Sequence, residues 1–195
     1  MYDVVALGEL LIDFTTQSID SDGYPTMAAH PGGAPANFLA AIAKFGGKVG
    51  MLGKVGTDTF GKLLTNTLRG AGIETKGLVA AEDDVFTTLA FVTLDENGDR
   101  EFAFARKPGA DTQLTFDELD LSLIDETRVF HFGTLSLTGE PARTTTYRAV
   151  EYAKAHGKLV TYDPNLRKPL WNDLNEAKEQ MLWGLRQADV VKISD

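Results

Sequence analysis

Residues 48–55 have the sequence KVGMLGKV, and this short run decides the fold class. It shows little alternation of polar and apolar residues, which is typical of a parallel strand covered on both faces. A predicted helix, Pro35 to Phe45, comes before it and ends at Gly46-Gly47. A second predicted helix, Asp58 to Ala71, follows it and ends at Gly72. This order of elements predicts an α/β sheet with right-handed crossovers.

The same pattern extends in both directions along the chain. Further buried strands are predicted at Val4 to Gly8 and Leu159 to Tyr162, and further helices at Pro141 to His156 and Leu174 to Ala188. Asp173 followed by Glu176 predicts a capping box for the last helix. The final stretch, Ala188 to Asp195, is typical of the start of another buried strand. We therefore expect the chain to be the front part of a longer protein.

One region departs from this pattern and predicts a small antiparallel sheet. Phe86 to Leu94 and Arg100 to Arg106 are two predicted strands around Asn97-Gly98, which is a strong hairpin signal. Alternation along the second strand places Phe102, Phe104 and Arg106 on one face. Leu10 to Thr16 and Tyr24 to His30 are expected to join the hairpin. Segments 10–30 and 86–106 would then form a lid that closes over a ligand.

Composition excludes several classes of function. The chain has 195 residues, with 19 Lys and Arg against 28 Asp and Glu, so its net charge is -9 and its pI is about 4.8. This balance disfavours nucleic acid and anionic membranes as partners. Cysteine is absent and the three histidines lack ligand spacing, so no metal site is predicted. No apolar run approaches the ~20 residues of a membrane span, and the first residues lack signal-peptide features. We expect one cytoplasmic domain.

The run from Pro31 to Asn37, PGGAPAN, is a candidate binding loop. Gly32 and Gly33 permit positive φ and close backbone approach, and the following helix start presents free N–H groups to hydroxyls or anions. Asn37 supplies an amide on the first turns of that helix. A tight loop-to-helix junction without a ligand is the alternative, because glycine is common in such loops.

Two further groups supply candidate ligands. Asp13 lies among apolar residues in a predicted strand, where its two carboxylate oxygens can accept bonds from vicinal hydroxyls. Glu9 competes for this role, and a solvent-facing acid on an alternating strand is equally compatible with the pattern. Asp163, Asn165 and Arg167 follow a predicted parallel strand, where ligands bind. A surface turn is the alternative for these three residues.

The aromatic face of the hairpin offers contacts from above the site. Arg106 could reach a substrate there, with Phe102 and Phe104 excluding water, although packing is the commoner use of aromatic residues. The stretch Gly53 to Asp58 lacks the ending of a phosphate-binding loop, and we interpret it as a strand-to-helix turn capped by Thr57 or Asp58.

Together these motifs resemble the ribokinase-like PfkB carbohydrate kinases, and among them most closely the fructokinases. The motifs that carry the resemblance are, in chain order, GELLIDF, PGGAPAN, GKVGTDTFG, FAFAR and DPNLRKPLW, and they cover nearly all of the sequence. The resemblance implies a three-layer α/β/α fold with a β-sheet lid that often mediates dimerisation. It also implies transfer of the γ-phosphoryl group of ATP, with Mg²⁺, to a sugar hydroxyl.

The resemblance also assigns roles to individual residues. The expected sugar site comprises Asp13, Gly32, Gly33, Asn37, Phe104, Arg106, Asp163 and Arg167. On the ATP side, Asn165 is expected between sugar and nucleotide, with Lys192 and Ser194 nearby. The catalytic aspartate of the family belongs to a G-A-G-D-type motif that this sequence does not contain, so it is expected beyond Asp195 and the 195-residue chain alone is predicted to be inactive.

Three readings of function remain open from the sequence. A fructokinase-like kinase is favoured, and kinases for 2-keto-3-deoxygluconate or a nucleoside are alternatives in the same family. A catalytically inactive sugar-binding or scaffold protein is the alternative of a different class. The expected partners are a small sugar and ATP, with a second copy of the chain bound through the lid.

Overall fold

The computed structural model describes residues 1–81, 84–94 and 100–193. The strands in these ranges are β1 Tyr2–Leu7, β2 Leu11–Ile19, β3 Pro25–Gly32, β4 Val49–Val55, β5 Ile73–Glu74, β6 Leu78–Ala80, β7 Leu89–Leu94, β8 Arg100–Ala105, β9 Thr127–Gly133, β10 Leu159–Asp163 and β11 Val190–Val191. The α-helices are α1 Ala34–Lys44, α2 Thr59–Gly70, α3 Leu121–Asp125, α4 Ala142–Ala155 and α5 Leu174–Gln187.

A parallel sheet forms the centre of the molecule. Its strand order within the described residues is β11-β10-β9-β1-β4-β5, with β6 also paired to β4. Every residue of β4 is buried, as expected for a strand covered on both faces. Val5 of β1 lies between Gly50 of β4 and Phe130 of β9. The predicted parallel core strands β1, β4 and β10 are confirmed.

Helices cover both faces of this sheet, which makes the three-layer α/β/α architecture. Val4 and Ala6 of β1 pack in one hydrophobic cluster with residues of α1 and α2, including Leu39 and Leu64. Val5 and its neighbours on the opposite face pack in a second cluster with residues of α3, α4 and α5. Alternate residues of one strand therefore serve two separate cores.

Strand β9 lies beside β1 at the centre of the sheet but is not predicted from the sequence. Arg128 and His131 interrupt its apolar pattern. Arg128 is exposed near the start of the strand, whereas His131 is buried and its Nδ1 lies 2.9 Å from Thr161 Oγ1 on β10. A neighbouring hydroxyl thus satisfies a polar residue inside the sheet.

Two of the predicted helix caps can be compared with the structure. Asp58 caps α2, because its Oδ1 accepts bonds from the backbone N–H of Phe60 at 2.8 Å and of Gly61 at 3.1 Å. Asp173 caps α5 through the N–H of Asn175. The capping box predicted with Glu176 is wrong, because the Glu176 carboxylate instead pairs with Arg143 of α4 at 2.6 Å.

The second sheet, which we call the small sheet, has the strand order β3-β2-β7-β8 in the described residues. Its strands come from the two segments predicted for a lid, and its pairs β2–β3 and β7–β8 are antiparallel. The predicted Asn97-Gly98 turn lies outside the described residues. Strand β2 runs parallel to β7, so that Asp13 sits between His30 of β3 and Ala90 of β7. None of the described helices is both long and apolar enough to cross a membrane.

Candidate active site

A cavity of about 470 Å³ lies between the small sheet and the start of α1. Residues predicted from four separate motifs meet in its wall, which includes Asp13, Gly33, Asn37, Phe104 and Arg167. Glu9 and Phe102 also line it. We call this space the sugar-side cavity, after the sugar contacts that the family resemblance implies for these residues. The topology favours a site here. The β1–β2 turn, the α1 N-terminus and the end of β10 all lie at the carboxyl ends of the parallel strands.

Asp13 projects from β2 into the sugar-side cavity and is partly buried. Burial raises the pKa of its carboxyl above the usual range, while the positive charges of Arg167 and His30 act in the opposite direction. Gly32 makes room for this carboxylate, since a Cβ at Gly32 would lie 2.2 Å from Asp13 Oδ2. Gly32 itself borders a different, apolar cavity of about 260 Å³ between α1 and α2.

The turn that enters α1 is held against the β1–β2 connection. Gly33 has φ 116°, and a Cβ there would lie 2.4 Å from the carbonyl oxygen of Glu9, so only glycine fits. The Oε1 atom of Glu9 accepts the N–H of Ala34 at 2.8 Å. The N–H of Asn37 in turn donates to the carbonyl of Gly33 at 3.0 Å. Backbone geometry at Gly33 therefore also places Asn37.

Arg167 reaches the sugar-side cavity from the segment after β10 and is oriented by two neighbours. Its Nη1 donates to Asn165 Oδ1 at 2.8 Å, and its guanidinium carbon lies 5.2 Å from the ring centre of Phe102. Asn165 adopts φ 36°, a left-handed conformation that asparagine tolerates. Asn165, predicted to bind the cofactor, thus contacts Arg167 directly.

The structure does not bring Arg106 into the sugar-side cavity. Arg106 directly follows β8 and continues its alternation of exposed and more buried residues, and it is buried in a pair with Asp111. Its Nη2 lies 2.6 Å from Asp111 Oδ2 and donates to the Leu135 carbonyl at 2.9 Å, and its Nη1 donates to Thr138 Oγ1 at 2.7 Å. Arg106 instead lines, together with Phe104, a separate cavity of about 330 Å³, and its role as a sugar contact stays a prediction.

Asp163 and Lys192 lie in a neighbouring cavity of about 450 Å³, which shares Asn37 with the sugar-side cavity. The Oδ2 atom of Asp163 is 3.8 Å from Lys192 Nζ, and its Oδ1 is buried with no hydrogen-bond partner among the described residues. His131 also lines this cavity, and burial lowers its pKa to about 4. Ser194 lies outside the described residues.

Sequence and structure comparisons bear on the whole chain. A profile of pfkB family carbohydrate kinases matches residues 1–195. The chain belongs to the PfkB family. It is similar to fructokinase-1 of Zea mays, with 46% identity over 194 residues that cover 98% of this chain and 60% of that protein. It is similar also to a probable fructokinase-3 of Arabidopsis thaliana, with 44% identity over 98% of this chain and 56% of that protein.

Solved structures of PfkB relatives show the same fold. A fructokinase from Xylella fastidiosa superposes with a TM-score of 0.91 and 33% identity, over 98% of this chain and 59% of that one. A second structure of that fructokinase, with bound ATP, gives a TM-score of 0.90 and 32% identity, over 98% of this chain and 61% of that one. The chain therefore spans about 60% of the length of these relatives. The predicted family and the ribokinase-like fold class are confirmed.

Sequence reasoning and structure differ most at Glu9. From the sequence alone, Glu9 is a competitor of Asp13 for a sugar hydroxyl. The structure places both carboxylates on the cavity wall, with Asp13 partly exposed and Glu9 buried against the α1 N-terminus. No local signal distinguishes the two, because the difference arises from a contact between residues 25 positions apart.

Proposed function

We propose that the protein carrying this chain is an ATP-dependent kinase that transfers the γ-phosphoryl group to a hydroxyl of fructose or a similar sugar. The observation that carries the proposal is the convergence of Asp13, Asn37 and Arg167 on one cavity. These side chains come from β2, α1 and the segment after β10. A carboxylate, an amide and a guanidinium together offer the acceptors and donors that a polyhydroxylated ligand needs.

Each residue has a defined part in holding the sugar. Asp13 accepts hydrogen bonds from two hydroxyls, Asn37 donates or accepts one, and Arg167 donates one. Phe102 and Phe104 line the wall formed by the small sheet and exclude water from the sugar. The proposed closure of this sheet as a lid would complete that exclusion.

The ATP side is proposed to begin where the neighbouring cavity borders Asn37. Lys192 supplies a cation there, and Asn165 supplies an amide beside Arg167, a donor set that fits phosphate oxygens. ATP with Mg²⁺ supplies the phosphoryl group and offsets its charge. We expect the base that receives the hydroxyl proton from the part of the relatives' length that this chain does not match, as the G-A-G-D resemblance implies.

The charges in the cavity favour a neutral sugar over an acidic one. Among the described lining residues, the carboxyls are Glu9 and Asp13, whereas Arg167 is the cation and already faces Asp13. A sugar acid such as 2-keto-3-deoxygluconate would bring a further negative charge into this space. We therefore place fructose ahead of that substrate, and a nucleoside remains the other substrate to test.

The decisive experiment measures ADP formation from Mg-ATP by the full gene product with fructose, 2-keto-3-deoxygluconate and a nucleoside. We expect the highest kcat/KM with fructose, and a fall of about 10- to 100-fold for Asp13→Asn, because a charged hydrogen-bond acceptor is lost. Asp22→Asn is the matched control, since Asp22 is exposed at the β2–β3 turn. Sugar binding without turnover would favour the inactive sugar-binding alternative.

We also propose that the protein forms a homodimer through the small sheet, as the family resemblance implies. Ile19 and Tyr24 at the β2–β3 end of this sheet are 68% and 69% exposed, which leaves apolar surface for a second copy. Light scattering on the full gene product measures the assembly, and a monomeric mass at high concentration would contradict it.

A further inference from the structure

Glu9 is a buried carboxylate of the sugar-side cavity to which the proposed mechanism gives no role. It is 2% exposed, although it lines the cavity, and its Oε1 accepts the N–H of Ala34 at 2.8 Å. Ala34 is the first residue of α1, so the carboxylate also faces the positive end of the helix. A serine or asparagine could cap this N–H without the cost of burying a charge. The presence of a full carboxylate therefore requires a reason.

Among the residues that the structure describes, no free cation lies beside Glu9. Arg106 and Asp111 lie close enough to act on it, but they are paired with each other at 2.6 Å and their charges act in opposite directions. Asp13 and Arg167 are the other charged groups on the described cavity wall. Burial is the largest effect and raises the pKa of Glu9 to about 7, so its charge changes near neutral pH.

We propose that Glu9 is a positioning residue of the sugar site, whose ionised carboxylate fixes the Gly33–Ala34 turn, so that protonation of Glu9 weakens sugar binding. The turn is connected to the ligand contacts, because the Asn37 N–H donates to the Gly33 carbonyl at 3.0 Å. An ionised acceptor makes a stronger bond to the Ala34 N–H than a protonated one. This inference rests on the proposed function of the cavity as a sugar site.

The test is calorimetric binding of fructose to the full gene product without nucleotide. Omitting ATP matters, because phosphate groups also titrate near neutral pH, whereas fructose carries no ionisable group in this range. Between pH 8 and pH 6 we expect the Kd of the wild-type protein to rise by up to about tenfold, since roughly a tenth of a group with a pKa near 7 is ionised at pH 6.

Two variants distinguish a positioning role of Glu9 from a general loss of sugar binding. Glu9→Gln keeps an acceptor for the Ala34 N–H but is neutral at every pH. We expect its Kd to be independent of pH and close to the wild-type value at pH 6. Asp13→Asn is the matched control, and it should bind more weakly while keeping the rise in Kd between pH 8 and pH 6.

The Ala34 amide provides a readout that does not depend on sugar. In the free wild-type protein its NMR chemical shift should titrate with a midpoint near pH 7, and in Glu9→Gln this titration should be absent. The inference is overturned if the Ala34 amide does not titrate, if the wild-type Kd is constant between pH 6 and pH 8, or if Glu9→Gln keeps the rise.

The same binding measurements distinguish failure of the proposed function from failure of the role of Glu9. If fructose and the other tested substrates neither bind nor react at any pH, the cavity is not a sugar site and the inference fails with that proposal. If fructose binds with a pH-independent Kd, the sugar site stands and only the role of Glu9 is rejected.

Discussion

Gly32 shows how one missing side chain can make room for a residue of the candidate site. A Cβ at this position would lie 2.2 Å from Asp13 Oδ2 and 2.9 Å from Asp13 Cγ, distances at which the carboxylate must move. Gly32 has no positive φ to maintain, so the substitution acts through contact rather than through backbone strain. Its neighbour Gly33 differs, because a side chain there would meet the backbone of Glu9.

We predict that Gly32→Ala displaces the Asp13 carboxylate and raises the KM for sugar by about tenfold or more. The expected loss corresponds to one charged hydrogen bond of about 1.5–3 kcal/mol. Steady-state kinetics of the full gene product measure the change. Gly70→Ala is the control, since no atom lies within 4 Å of its added Cβ and it is helical. An unchanged KM in Gly32→Ala would show that the carboxylate relocates without cost.

Burial of Glu9 has a second consequence, for stability. The pKa of Glu9 is about 7 in the folded chain against 4.5 in the unfolded chain, so the folded state binds more protons between these values. Stability from this group is complete below pH 4.5 and is lost as pH rises through 7. At pH 8 the ionised group costs at most about 3 kcal/mol.

We therefore predict that Glu9→Gln is more stable than the wild type at pH 8 and that this advantage shrinks towards pH 5. Urea unfolding at the two pH values measures the difference in the free energy of unfolding. A stability gain at pH 8 combined with weaker sugar binding would mark Glu9 as a residue retained for function. A variant that is less stable at pH 8 would contradict the assigned burial cost.

At the scale of elements, Asp111 bonds to both chain segments that join β7 and β8 to the rest of the molecule. Its Oδ2 accepts from Arg106, which follows β8, and its Oδ1 accepts from the hydroxyl of Thr88, which precedes β7. The Thr88 carbonyl in turn accepts the N–H of Ile12 on β2. A single buried carboxylate thus holds three strands of the small sheet at their base.

We predict that Asp111→Asn lowers the free energy of unfolding by about 3–5 kcal/mol, because it leaves the Arg106 guanidinium buried without a counter-charge. The side chains of Arg106 and Asp111 are nearly inaccessible, at 4% and 1% exposure. Water therefore cannot hydrate the guanidinium once the carboxylate charge is lost. Chemical denaturation measures the loss. Asp117→Asn is the control, since Asp117 is 90% exposed in its pair with Arg148. Equal effects of the two substitutions would contradict the argument.

The same elements show what sequence patterns can and cannot predict. Strands with little alternation of polar and apolar residues, such as β4, are recognisable because that pattern is typical of burial on both faces. Strand β9 was missed because a cross-strand bond between His131 and Thr161 makes a histidine acceptable inside a sheet. Arg106 lies outside the sugar-side cavity because its guanidinium bonds to Asp111, Leu135 and Thr138. The bonds of His131 to Thr161 and of Arg106 to Thr138 span 30 and 32 residues, so local patterns do not predict them.

At the scale of the whole molecule, the candidate site was more predictable than its details. Asp13, Asn37 and Arg167 come together because the topology brings their elements to the carboxyl ends of the parallel strands. The motif resemblance implies the same grouping of these residues. The division between two cavities was not predictable. Asp163 and Lys192 fall on the far side of Asn37, since β11 pairs with β10 at the outer edge of the sheet.

At that outer edge, formed by β10 and β11, the two faces of the parallel sheet differ. Near β10 and β11 the face on the α1 side borders the 450 Å³ cavity, which is lined mainly by apolar atoms of residues such as Phe38 and Tyr162. Parallel strands are normally covered on both faces. Val190 of β11 is 53% exposed at this cavity. In the 195-residue chain studied alone, this opening is an apolar surface that a small aromatic probe can enter.

We predict that the 195-residue chain binds the dye 8-anilinonaphthalene-1-sulfonate while keeping its native circular dichroism, and that Val190→Glu lowers the dye fluorescence several-fold. The glutamate places a negative charge at the mouth of the cavity, where it repels the sulfonate of the dye and where its burial by the dye is costly. Leu182→Glu is the matched control, because Leu182 is 40% exposed on α5 and does not line this cavity. Equal loss of fluorescence in both variants would show that the dye binds elsewhere, and no binding by the wild-type chain would show that the cavity is closed in solution.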